Sequence, residues 1–131
     1  MNLNLVLVIK HMQNPPKFMT QQVAEALLQK YDSPLFVYDA NLIKEKSQML
    51  LDAAQDFHVS YAMKANNNKE ILKLIKSNGI KSVDVVSPGE IYKALQNSYS
   101  PNEILYTENF SSEKEIEFAL KCGVILNIGA F

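Results

Sequence analysis

From Thr20 onward, short apolar runs alternate with amphipathic ones, and this alternation constrains the fold more than any other feature. Strand-like stretches fall near residues 59–63 ("VSYAM"), 82–87 ("SVDVVS"), 103–107 ("EILYT") and 124–128 ("VILNI"). Their spacing of about 20 residues leaves room for one return helix each, so the strands are expected to be parallel with right-handed crossovers. The runs between them have the 3.6-residue spacing and end signals of helices. Asn67 or Asn68 caps a helix through Ile71, Leu74 and Ile75, and Gly79 stops it. "SPGE" opens a helix carrying Ile91, Ala94 and Leu95, and "SSEKEIEFALKCG" is a helix closed by Gly123. Earlier in the chain, "VAEALLQKY" (Val23 to Tyr31) reads as a short helix ended by a turn at Asp32, Ser33 and Pro34. "LFVYD" (Leu35 to Asp39) reads as a strand. After it, a helix capped by Asp39 would bury Ile43, the Lys46 stem, Leu50, Ala53, Ala54 and Phe57.

This is the α/β class, closed either as an open doubly wound sheet or as a barrel. A (β/α)8 TIM barrel takes ~250 residues, whereas this chain has 131 residues and ends at Phe131, directly after a strand. The arithmetic predicts the N-terminal half of such a barrel, and the ending reads as a truncation. Residues 1–19 stand outside the pattern as an extension, leaving 20–131 as the partial barrel domain. Within the extension, "LNLVLVI" (Leu3 to Ile9) is shorter than the roughly 20 apolar residues a bilayer span needs, and it lacks the marks of a secretory signal. Pro15-Pro16 reads as a linker. The segment is read as an edge strand or an added tail, with Met19 as a natural start.

One lysine interrupts the pattern. In the strand-like run "VSYAM" and the lysine after it, Ser60, Ala62 and Lys64 point to one face and Val59, Tyr61 and Met63 to the other. The first set is small and polar and suits a barrel interior; the second is bulky and suits packing beneath helices. Lys64 is then an inward-facing residue at the carboxyl end of a strand, where barrel enzymes keep their chemistry. A lysine amine in water is neutral in only about one molecule in 2,500 at pH 7. Burial at a barrel mouth would favour that neutral, nucleophilic form. A lysine snorkelling outward from a strand end satisfies the same periodicity. In the next unit, Asp84 and Glu90 of "DVVSPGE" stand where they could flank Lys64 across adjacent strands. Ser87, Pro88 and Glu90 equally form a helix start with a capping box, which accounts for Glu90 by itself.

The rest of the composition narrows the function by exclusion. With 47% hydrophobic and 21% charged residues and a net charge of −1, no basic patch marks a nucleic-acid partner. The single cysteine, Cys122, forms no internal disulfide and fits a reducing compartment. His11 and His58 have no metal-ligand spacing, the glycines at 79, 89, 123 and 129 make no phosphate loop, and no nucleophile triad is present. Ser111 to Glu115 is a second capping box without chemistry. With no signal segment recognised, the expected location is cytoplasmic.

Taken together, "SPLFVYD", "YAMKAN", "DVVSPGE" and "ILYTEN" resemble, in order and spacing, the diaminopimelate decarboxylases. These are pyridoxal 5′-phosphate (PLP) enzymes with an alanine-racemase-type barrel, alongside the ornithine and arginine decarboxylases. The resemblance covers residues 20–131, and "YAMKAN" followed by "SPGE" carries most of its specificity. Alanine racemase itself fits less well, because its lysine motif continues toward Tyr-Gly-His-Gly where this chain reads "KANNNKE".

The resemblance implies that Lys64 binds PLP covalently and that Asp84 and Glu90 are the acidic residues beside it, Asp84 also facing the cofactor. It implies loss of CO₂ from an amino-acid substrate, meso-diaminopimelate giving lysine. A homodimer is implied for the full-length family protein, with no nucleic-acid or membrane partner. Ornithine-, arginine- or carboxynorspermidine-type decarboxylation and a non-catalytic PLP-binding module are the alternatives. Family members continue to a ring-stacking His, a Gly-rich phosphate site, an acidic partner for the pyridine nitrogen and a C-terminal β domain. None of these has a counterpart in the 131 residues, and "LNIGAF" departs from the family's "INVDS". The chain alone is therefore expected to be inactive.

Overall fold

The computed structural model describes residues 16–107 and 110–129. The expectations for residues 1–15 lie outside the described residues, as do the last two residues of "ILYTEN". The chain divides into two compact units after Asp39. In the first, α1 (Gln21–Tyr31) starts where the Thr20 hydroxyl accepts a hydrogen bond from the Val23 amide at 3.2 Å, and it buries Ala24 and Leu28. The turn that ends α1 is present, with Asp32 at φ 65°. Residues 35–39 do not form the expected strand. A strand exists through its ladder, and the sheet consists of later segments only.

In the second unit, α2 (Ala40–Ala53) leads to β1 (Ser60–Ala62), α3 (Lys69–Ser77), β2 (Ser82–Val85) and α4 (Pro88–Gln96). A 3-10 turn (Pro101–Glu103), β3 (Ile104–Thr107), α5 (Glu113–Cys122) and β4 (Ile125–Asn127) complete it. The four strands form one parallel sheet in the order β1-β2-β3-β4, as the spacing predicts. The register aligns Ala62 with Asp84, Asp84 with Leu105, and Leu105 with Ile125.

Alternation along these strands sets the two faces. Tyr61, Met63, Val83, Val85, Ile104, Tyr106 and Leu126 meet Leu72 of α3, Ile91 and Ala94 of α4 and Ala119 of α5 in the main core. The other face carries Ser60, Ala62, Ser82, Asp84, Leu105 and Ile125. This is the interior face of a barrel, here lined by four parallel strands and left unclosed.

A second cluster joins Ile71, Ile75 and Ile80 to Ile43, Leu51, Val59 and Tyr61. The buried stripe of α2 is thus Ile43, Ser47, Leu51 and Ala54, rotated from the expected one; Leu50 and Phe57 are exposed. Both stripes of α2 are apolar enough to be buried, and the isoleucines of α3 select between them. Gly79 ends α3 at φ +104°, and a Cβ there would sit 3.0 Å from Leu51 Cδ1. Gly79→Ala therefore combines a strained backbone with a clash at the α2–α3 seam. It should lower the stability of the fold by about 1–3 kcal/mol, read as a shift of the urea midpoint.

At the amino ends of the strands, polar side chains tie neighbouring strands and helices together. Ser60 Oγ donates to Ser82 Oγ at 3.0 Å, and Ser82 Oγ donates to the Glu103 carbonyl at 2.9 Å. Lys76 Nζ reaches Glu103 Oε2 at 2.7 Å and the Ser98 carbonyl at 2.8 Å, and stands 4.3 Å from the centre of the Tyr99 ring. Burial, then the nearby Glu103 charge, pushes the Tyr99 phenol up to about 12. The hydrogen bond from Lys76, followed by that from the Ser100 amide, draws the Glu103 carboxyl down to about 2.

Because the folded value lies below the ordinary 4.5, this carboxylate stabilises the fold above pH 4.5 and loses its contribution as pH falls toward 2. Water screening over the quarter of each side chain left exposed holds that contribution near about 1 kcal/mol. Urea titrations between pH 5 and pH 2.5 should show a fall in stability that Lys76→Met reduces, the Ser100 amide bond keeping the remainder. An unchanged pH slope in the variant would refute the assignment.

Candidate functional site

At the opposite, carboxyl ends of the strands, the chemistry-bearing residues gather. The last ladder bond of β1 runs from the Met63 amide to the Asp84 carbonyl at 2.9 Å, after which the Ala65 amide turns back to the Ala62 carbonyl at 3.1 Å. Lys64 sits at the centre of this turn. Its expected burial is not found: Lys64 is exposed, and it forms no hydrogen bond or ion pair among the described residues. The physical reason is that β1 leaves the sheet at Met63, lifting Lys64 above an interior face that four strands leave open.

Asp84 lies on that interior face, level with Ala62. Lys64 follows Ala62 two residues later in the chain, in the turn beyond the end of β1. Asp84 is half-buried, and its Oδ1 is fully buried without a hydrogen-bond partner among the described residues. An unpaired buried acceptor costs about 1–3 kcal/mol.

Glu90 is placed differently. It is 8% exposed, and its Oε2 accepts from the Val86 amide at 2.9 Å, while its own amide donates to Ser87 Oγ at 3.2 Å. Ser87 caps α4 and Pro88 occupies its first turn, as expected, but the carboxylate reaches Val86 instead of closing a box on Ser87. No hydrogen bond or ion pair joins Glu90 or Asp84 to Lys64 among the described residues. Glu90 holds the chain between β2 and α4, which in turn fixes the end of the strand bearing Asp84.

Two features of this end are additional to the expected residues. Asn127 Nδ2 approaches Thr107 Oγ1 at 3.4 Å at the ends of β4 and β3, on the same face as Asp84. The three asparagines after Lys64 are all used. Asn66 Oδ1 accepts from the Asn68 amide at 3.0 Å, Asn68 Oδ1 caps α3 at the Glu70 amide at 2.9 Å, and Asn67 Oδ1 accepts from Lys93 Nζ at 2.8 Å. The run "NNN" was a signal for capping; the tie to Lys93 is not legible without the fold.

A primary amine open to attack a carbonyl, at the same end of the sheet as a carboxylate oxygen without a donor among the described residues, fits a group bearing both an aldehyde and a protonated ring. Among the described residues no group of three or more His, Cys, Asp or Glu could hold a metal ion, and no helix is long and apolar enough to cross a membrane.

Residues 40–130 match the family described as pyridoxal-dependent decarboxylase, pyridoxal binding domain. The chain is 39% identical over 109 residues to the diaminopimelate decarboxylase of Methanothermobacter thermautotrophicus, covering 80% of this chain and 25% of that protein. Among solved structures, diaminopimelate decarboxylase from Helicobacter pylori complexed with L-lysine superposes with a TM-score of 0.69 at 32% identity, covering 82% of this chain and 28% of the other. Lysine/ornithine decarboxylase from Vibrio vulnificus complexed with putrescine gives a TM-score of 0.74 at 20% identity, over 82% and 30% of the two chains, a likeness of fold alone. The chain spans about a quarter of the length of the curated relatives it matches.

Proposed function

We propose, because this chain belongs to the pyridoxal-dependent decarboxylases through their pyridoxal binding domain, that Lys64 is the residue holding PLP and that the domain serves decarboxylation of meso-diaminopimelate to lysine. The observation that carries the reading is an exposed amine just beyond the end of β1, together with a buried Asp84 Oδ1 without a partner among the described residues on the neighbouring strand. The substrate follows from the run of diaminopimelate decarboxylases among its relatives. A homodimer, as the family resemblance implies, and a cytoplasmic location, where the cofactor is supplied, belong to the same reading.

When bound, PLP supplies an electron sink for the charge left on the α-carbon as CO₂ departs. The chain's own residues do the holding. Lys64 provides the covalent attachment through Nζ. Asp84 places a negative charge under the site, where it favours a positively charged partner on the interior face. Glu90 keeps Val86 and the end of β2 in place through its bond to the Val86 amide. The open interior face excludes little water, and the 131 residues alone should show no turnover of diaminopimelate.

Incubation of the chain with PLP, borohydride reduction and peptide mapping tests the reading. The expected result is an adduct concentrated at Lys64. An adduct scattered over exposed lysines such as Lys69, with none enriched at Lys64, would make Lys64 an ordinary strand-end residue.

A further inference from the structure

We propose that Tyr61 is the positioning residue for Lys64, acting through the backbone of Asn66; the inference rests on the reading of Lys64 given above. Lys64 occupies a short arc between two anchors. The upstream anchor is the sheet itself, through the Met63 amide on the Asp84 carbonyl at 2.9 Å. The downstream anchor is the Tyr61 hydroxyl, which donates to the Asn66 carbonyl at 3.0 Å.

Tyr61 is well placed for this task. Its side chain leaves β1 toward the helices, and its ring packs against both apolar clusters. The ring is thus located by the core and not by the loop, and it offers the loop a fixed donor. From Asn66 the bracing continues through the Asn66–Asn68–Glu70 bonds into α3, with Lys93 of α4 holding Asn67 from the side.

The direction of the Lys64 stem is set by backbone alone, because its amine has no partner among the described residues. Loosening the downstream anchor lets the amine sample a wider volume, which lowers its effective concentration at any carbonyl held over Asp84. Misplacement by about 1 Å costs up to roughly 100-fold in such reactions.

Tyr61→Phe keeps the ring in the core and removes the hydroxyl that donates to the Asn66 carbonyl. The test uses the whole chain, PLP as probe and borohydride as trap, with adducts at Lys64, Lys69 and Lys81 quantified in one digest. The ratio of Lys64 to the two exposed lysines should fall roughly tenfold in Tyr61→Phe. Exchange of the amides of residues 64–68, measured without PLP, should quicken by a similar factor. Lys93→Met, which alters only an exposed side chain, should lower the ratio by about twofold to threefold and guards against misfolding of the first variant.

A ratio in Tyr61→Phe within about twofold of the parent chain overturns the proposal. Should the parent chain itself give no enrichment at Lys64, the cofactor reading fails, and amide exchange alone decides the anchor. Faster exchange at 64–68 then upholds Tyr61 as the brace of this turn, and unchanged exchange overturns it.

Discussion

Alanine in place of Lys64 is expected to remove the borohydride-stable adduct at this position altogether while leaving the fold as it was. The first half follows from chemistry: no other described residue offers a primary amine at the end of β1, and a methyl group cannot attack a carbonyl. The second half follows from surroundings. Lys64 is exposed and makes no hydrogen bond or ion pair among the described residues, so its truncation should change stability by no more than about 0.5 kcal/mol. Intact mass after reduction and a urea midpoint on the same preparation check both. Adduct persisting at the parent level in Lys64→Ala would move the cofactor elsewhere on the chain.

Asp84→Val should move stability and labelling in opposite directions. The carboxylate has a buried oxygen without a partner among the described residues, set in a strand between Ala62 and Leu105. Valine relieves that unsatisfied acceptor and suits a strand, so the PLP-free chain should gain about 1–2 kcal/mol. The same change deletes the only negative charge on the interior face of the described strands, and the Lys64 adduct should drop several-fold, on the order of tenfold. Loss of stability in Asp84→Val would show that the carboxylate is satisfied in solution. Unchanged labelling would separate Asp84 from the site. Gain in one and loss in the other is the signature of a residue kept for chemistry at a cost to folding.

The strand pattern was legible because parallel strands leave two simple marks: a nearly constant interval and apolar alternation. Val83 and Val85 on one face, with Ser82 and Asp84 on the other, illustrate both. The helix starts at Asn68 and Ser87 were legible because capping is local chemistry. What depended on distant partners was not. The buried face of α2 is not legible in the sequence because Leu50 and Leu51 are equally apolar, and only the isoleucines of α3 choose Leu51.

Residues 35–39 have strand composition but no place in the ladder, which composition cannot supply. At the site, Asp84 is placed by register beside Ala62, and Lys64 follows in the turn after that strand. The exposure of Lys64 was missed because it depends on where β1 leaves the sheet. Glu90 was readable as a cap, but its choice of the Val86 amide over Ser87 depends on how the chain bends between β2 and α4. The link from Lys93 to Asn67 spans 26 positions and has no local sign.

The serine, lysine and glutamate ties lie at one end of the strands, and the amine and carboxylate at the other. The molecule therefore separates what must be kept from what can be rewritten. Variation at the Lys64 end can explore new chemistries without first crossing a barrier of misfolding, while variation at the Lys76 end is filtered for integrity before any activity is tested. A library randomised at both ends should split into two populations: variants near Ser60, Lys76 and Glu103 lost through degradation, and variants near Lys64, Thr107 and Asn127 that survive with altered reactivity. Such a scaffold is evolvable because its hazards and its opportunities occupy different ends of the same four strands.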